Sequence, residues 1–204
     1  MKKYVFITVL ALFGGANTLV EASDRIIDFS LVSSGSFVST PIDTDLDGTS
    51  ASLTTMKGKS SRLGEMSASI LTEAKIKRDA DGGTESCDTP EGQPGLLLDL
   101  VKARGTYVLR KGNQIFTEAI SLSTCININT CFDVDGNVKE GCTFRTFTTG
   151  RIIGGTGKYA CASGDIQDDV TGYALVVDPR GEFFGSILES RMQGSMNVPE
   201  NCTN

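Results

Sequence analysis

Apolar side chains recur along this chain in short runs closed by glycine, proline, asparagine and aspartate, the punctuation of strands and turns. Arg25–Val32 (RIIDFSLV) reads as a strand, which Ser36–Thr40 extends beyond Gly35. Leu96–Arg110 and Gln114–Thr124 predict a hairpin with Lys111-Gly112-Asn113 as its turn. Phe144–Ile153, rich in threonine and aromatic residues, suits a further strand. Val170–Val177 and Glu182–Met192 flank Asp178-Pro179-Arg180-Gly181, where proline sets φ at the second turn position and glycine accepts positive φ.

Only Gly64–Lys77 has helical spacing, with Met66, Ile70 and Ala74 four apart; its serines leave strand or loop open as alternatives. Asp79–Gly95, rich in Asp, Gly and Pro, reads as an exposed loop pinned by Cys87. Many strands with little helix imply an antiparallel sandwich or barrel. The last strand favours the barrel. Phe184 and Leu188 share one of its faces, Phe183 and Ile187 the other, so both faces need cover. A lumen covers one side, and a helix, a loop or a neighbouring subunit covers the other.

The first 22 residues stand apart from this pattern. Lys2 and Lys3 precede an apolar run from Tyr4 to Phe13, broken by Gly14-Gly15, and Val20-Glu21-Ala22 offers a cleavage site. That is the anatomy of a secretory signal peptide, with residues 23–204 as a single domain. The run is shorter than the roughly 18 apolar residues of a membrane anchor. No later stretch is long enough to span a bilayer after cleavage, so the expected destination is periplasmic or extracellular. All six cysteines, Cys87, Cys125, Cys131, Cys142, Cys161 and Cys202, follow the leader. An even number in an exported chain reads as three disulfides, and no C-x-x-C pair suggests metal or redox chemistry. The expected pairing sets Cys125 with Cys142 across a hairpin base and Cys161 with Cys202 at the tail.

Composition removes whole classes of function. The 204 residues contain no histidine, which excludes Ser-His-Asp and Cys-His catalysis and histidine-ligated metals. A formal charge of −6 argues against nucleic acid as a partner. Gly154-Gly155-Thr156-Gly157-Lys158 fails as a phosphate loop because Ile152 replaces its first glycine and Tyr159 the Ser/Thr after lysine. The related dinucleotide pattern needs a following helix, and here another strand follows, so a tight connection is expected. Neither a G-x-S-x-G elbow nor an S-x-x-K pair occurs. Among carboxylates, Asp165, Asp168, Asp169, Glu182 and Glu189 lie near neighbouring strands, the residue types from which a general acid–base pair is built. Asp43, Asp45 and Asp47, followed by Gly48, match the opening of a calcium loop; Thr54 replaces its closing glutamate, and the alternative is a solvated acidic turn. Calcium is the one cofactor the residues suggest.

Gly150-Arg151-Ile152-Ile153-Gly154-Gly155-Thr156-Gly157-Lys158-Tyr159-Ala160, then Ser163-Gly164 and a strand pair ending Phe183-Phe184-Gly185-Ser186, resembles the allene oxide cyclase/dirigent barrel superfamily. Asp43–Thr54 and Phe132-Asp133 are similar to features of uncharacterised secreted bacterial members. The resemblance implies an all-β, calycin-like fold: an antiparallel eight-stranded up-and-down barrel with a largely apolar cavity, here disulfide-stapled, in dimers or trimers. Plant members cyclise a fatty-acid epoxide or steer phenol coupling. None of the cyclase's catalytic residues maps onto a matched motif here, and Cys161 departs from the small residue usual after the motif's alanine. Three readings follow: a secreted barrel binding a small apolar ligand or a partner without chemistry of its own; a barrel isomerase or cyclase; a surface protein with a weak calcium site.

Overall fold

A computed structural model describes residues 24–40, 50–89, 91–131, 142–177 and 183–200, with side chains given for most of them. Nine strands run in chain order: β1 (Arg25–Thr40), β2 (Ser50–Ser60), β3 (Gly64–Ile76), β4 (Ser86–Asp88), β5 (Pro94–Leu109), β6 (Gln114–Ile126), β7 (Cys142–Gly155), β8 (Ser163–Val177) and β9 (Phe183–Val198). One short helix, α1 (Ile128–Cys131), and a 3₁₀ turn at Gly157–Tyr159 complete the described elements.

Every long strand pairs antiparallel with its neighbour, β3 pairs with β5 and β1 with β9, so eight strands close an up-and-down barrel. Closure removes the exposed edges that an open sheet must protect. The short β4 is additional. It pairs with β5 at Leu96, just past Leu98, where β3 ends.

Alternation decides which side chains enter the lumen. Along β1, Phe29, Leu31 and Ser33 are buried while Ser30, Val32 and Ser34 are exposed. The stretch with helical spacing, Gly64–Lys77, is a strand: Met66 and Ala68 are buried, Ile70 packs against the core, and Ser69 and Leu71 are exposed. A spacing of four belongs to a strand face as well as to a helix face, and the serines mark the outward positions. On β9, Leu188 faces in and Ile187 out; the side chains of Phe183 and Phe184 lie outside the described residues, as does the turn at 178–181. On β6 a register shift between Ala119 and Ser121 pushes Ile120 outward, 64% exposed, a bulge that bends the strand around the barrel.

The two ends differ. At one end the connections are short: Ser61–Leu63, Arg110–Asn113 and Thr156–Ala162. Lys111-Gly112-Asn113 makes the expected turn, with Gly112 at φ 81° and its N–H donating to the Leu109 carbonyl at 2.8 Å. Gly154 at φ 137° and Gly157 at φ 56° fold the glycine-rich run back on itself, and this tucks Tyr159 and Ala162 into the core. The Gln114 N–H donates to the Thr156 hydroxyl at 2.8 Å and clasps that connection to β6. No helix long enough to cradle a phosphate follows, so the run is a barrel closure.

The other end carries the two longest connections, 77–93 and 127–141, and two disulfides. Cys87 bonds Cys125, tying β4 to β6, and Cys131 bonds Cys142, joining α1 to β7. This corrects the expected Cys125–Cys142 pair. Cys125 points outward beneath the 77–93 connection, where Cys87 reaches it, whereas Cys142 is fully buried beside α1. Cys161 is also disulfide-bonded, its partner lying outside the described residues. Within 79–95 most side chains are exposed; Ser86–Asp88 forms β4, and Thr89 and Gly95 are buried.

Candidate functional site

Burial of the inward side chains changes along the barrel axis. Toward the short-turn end Phe29, Leu31, Met66, Ile115, Ile152, Ile166, Met192 and Met196 are all buried in one apolar cluster. The space left between them is about 10 Å³, apolar and barely the size of one water, so this half is solid. Toward the disulfide end the inward positions Phe37, Ile70, Leu98, Leu122, Thr124, Thr146, Thr148 and Val170 are half-buried, while Ile126, Phe144, Ser186 and Leu188 on the same inner face are buried. Two aromatic rings cross this upper half. Phe37 on β1 and Phe144 on β7 meet edge to face at 5.7 Å although β8 and β9 stand between their strands. Gly172 makes room for the second ring, since a Cβ there would stand 2.6 Å from Phe144 Cζ.

Asp168 marks the boundary between the halves. Its neighbours on the lumen face of β8 are Ile166, which is buried, and Val170, which is half-buried. The residue is 6% exposed, and its carboxyl accepts a hydrogen bond from Ser190 Oγ at 2.6 Å, from the neighbouring β9. Burial pushes its pKa above the ordinary carboxylate value; the Ser190 hydrogen bond opposes that rise only in part. Tyr107, on β5, is buried too, and its phenol pKa is raised first by burial and then by the charge of Asp168. Ser33 Oγ donates to Met56 Sδ at 3.6 Å, and Ser186, 1% exposed on the lumen face of β9, has a hydroxyl without a partner. Serine hydroxyls and one carboxyl thus line a wall otherwise built of apolar groups.

The strand pleat separates the other acidic residues weighed from sequence. Asp165 and Glu189 point outward and are exposed. Asp169 also points outward, where the Arg145 guanidinium grips it with two hydrogen bonds of 2.9 and 2.7 Å and holds its pKa below the usual range. Of these candidates only Asp168 faces the lumen, and Glu182 lies outside the described residues. Asp168 and Asp169 are consecutive, so one faces the lumen and the other solvent. Glu118, likewise outside the barrel, has its pKa lowered by hydrogen bonds from Arg151 and Arg104.

Asp43, Asp45 and Asp47, the calcium candidates, lie outside the described residues. Among the described residues no group of three or more His, Cys, Asp or Glu is placed to hold a metal ion. No described helix is long and apolar enough to cross a membrane. Sequence reasoning missed Tyr107 and Ser190, because only barrel closure makes β5, β8 and β9 share one interior. Comparison with protein-family models, curated proteins and solved structures finds no match to this chain.

Proposed function

We propose that this protein is an exported, disulfide-stapled barrel that binds one small, largely apolar molecule in the upper half of its lumen, without chemistry of its own. One observation carries the reading: half-buried inward side chains, Phe37, Ile70, Leu98, Leu122 and Val170, gather toward the disulfide end beside the buried Ile126, Phe144 and Leu188, and a buried carboxyl lies next to them on β8. An eight-stranded barrel has room for packed side chains or for one small ligand, and here the two halves divide those options. Ile70, Leu98 and Val170 supply apolar walls to such a molecule, and Thr124, Thr146 and Thr148 supply hydroxyls. The leader-like first 22 residues and the disulfides support export. Membership of the allene oxide cyclase/dirigent superfamily is part of the proposal, supported by the glycine-rich closure and the eight-stranded barrel.

Native mass spectrometry of the purified protein tests the reading. A bound mass that leaves on denaturation, and that is lost in Ile70→Trp where the indole fills the upper lumen, is the expected result. A bound mass retained undiminished in a folded Ile70→Trp would move binding outside the lumen, and a clean unliganded mass would count against capture. A second reading, an isomerase or cyclase, draws on the two ionisable groups in the interior, Asp168 and Tyr107. Recovery of the molecule unchanged after prolonged incubation separates binding from turnover.

A further inference from the structure

We propose that the lumen selects a small amine, with Asp168 as the counter-charge to its ammonium group; this rests on the reading that the upper lumen binds a small molecule. The barrel interior is unbalanced in charge. Asp168 is buried, yet no described lysine or arginine is buried, and none of the described ion pairs includes it. Its one side-chain hydrogen bond comes from a neutral hydroxyl, Ser190 at 2.6 Å. The nearest charged side chain on its own strand is Asp169, a like charge that faces outward and is already paired with Arg145. Water-excluded carboxylates are costly unless a cation meets them, and here the protein supplies none among the described residues.

A ligand ammonium supplies that cation. It can donate up to three hydrogen bonds, and the Asp168 carboxyl, with the Ser190 hydroxyl oxygen beside it on β9, offers the acceptors. The half-buried Ile70, Leu98 and Val170 above the carboxyl suit an apolar body attached to the amine. A carboxylic-acid ligand of the same shape meets repulsion, and an alcohol of the same shape forms one neutral hydrogen bond and leaves the charge unpaired.

The test compares benzylamine, benzyl alcohol and benzoate by calorimetric titration and by shift in Tm on the purified protein at neutral pH. The amine is expected to bind at least tenfold more tightly than the alcohol, with no binding of benzoate. Asp168→Asn, which preserves the side-chain shape, is expected to abolish the amine's advantage and leave alcohol binding within about twofold. Should that variant not fold, Ser190→Ala, which loosens the carboxyl, is expected to reduce the advantage several-fold. Equal affinity for amine and alcohol overturns the amine assignment and leaves lumen binding standing. An advantage that survives in Asp168→Asn overturns the role of Asp168. Absence of any binding by all three overturns both readings.

Discussion

Replacing Asp168 by asparagine changes charge with almost no change in shape, which makes the pH dependence of stability a direct report on this buried group. The folded-state pKa of Asp168 is raised above its unfolded value, chiefly by burial. Between those two values the folded protein therefore holds more protons than the unfolded chain. With νU smaller than νN, unfolding free energy falls as pH rises through this window. The carboxyl costs nothing extra below its unfolded pKa, and its full penalty is present above its folded pKa. Each pH unit inside the window is worth about 1.4 kcal/mol for one group. Asparagine keeps an acceptor for Ser190 Oγ but adds two donors, a cost of about 1 kcal/mol that does not vary with pH. Urea unfolding of wild type and variant from pH 3.5 to 7.5 isolates the term, because every other titrating group is common to both. The variant should gain on wild type as pH rises, then level off. A difference that stays constant across the range, with equal m values, would falsify the placement of a buried ionisable carboxyl in the lumen.

Two further outcomes follow from the fold itself. Leu31, 2% exposed within the solid half, should cost about 3–5 kcal/mol as Leu31→Ala, whereas its neighbour Val32, 63% exposed on the outer face, should cost less than about 1 kcal/mol as Val32→Ala. Comparable losses in urea unfolding would refute the assignment of inward and outward faces on β1. Cys87–Cys125 closes a separation of 38 residues and Cys131–Cys142 one of 11. Paired serine substitutions should therefore cost about 4 and about 3 kcal/mol if restriction of the unfolded chain dominates, and thermal unfolding of the two variants should preserve that order.

Much of the fold was legible in the chain because strand signals are local. The Lys111-Gly112-Asn113 turn, the strand at Phe144–Ile153 and the closing glycines each depend on neighbouring residues, and each sits where its residues predict. The segment Gly64–Lys77 was ambiguous for a physical reason: Met66 and Ile70 share a face in either a helix or a strand, and pairing with β2 and β5 chose the strand. The β2 strand escaped notice, since Ser50–Ser60 carries only Leu53 and Met56 as large apolar residues, and Leu53 points outward.

The sequence by itself determined the charge, the absence of histidine chemistry, the even set of cysteines and a strand-rich architecture, all properties of composition and short-range pattern. Tertiary structure decided which cysteines meet, because α1 carries Cys131 to Cys142 while β4 carries Cys87 to Cys125. It also decided which acidic residue matters. Asp168 and Asp169 are adjacent and chemically identical along the chain, and the strand pleat sends one into the lumen beside Ser190 and the other onto Arg145 at the surface. Pleat and closure act over distances no local pattern records. Residues from β5, β8 and β9 surround one carboxyl only after the sheet has curled through eight strands and joined its own edge.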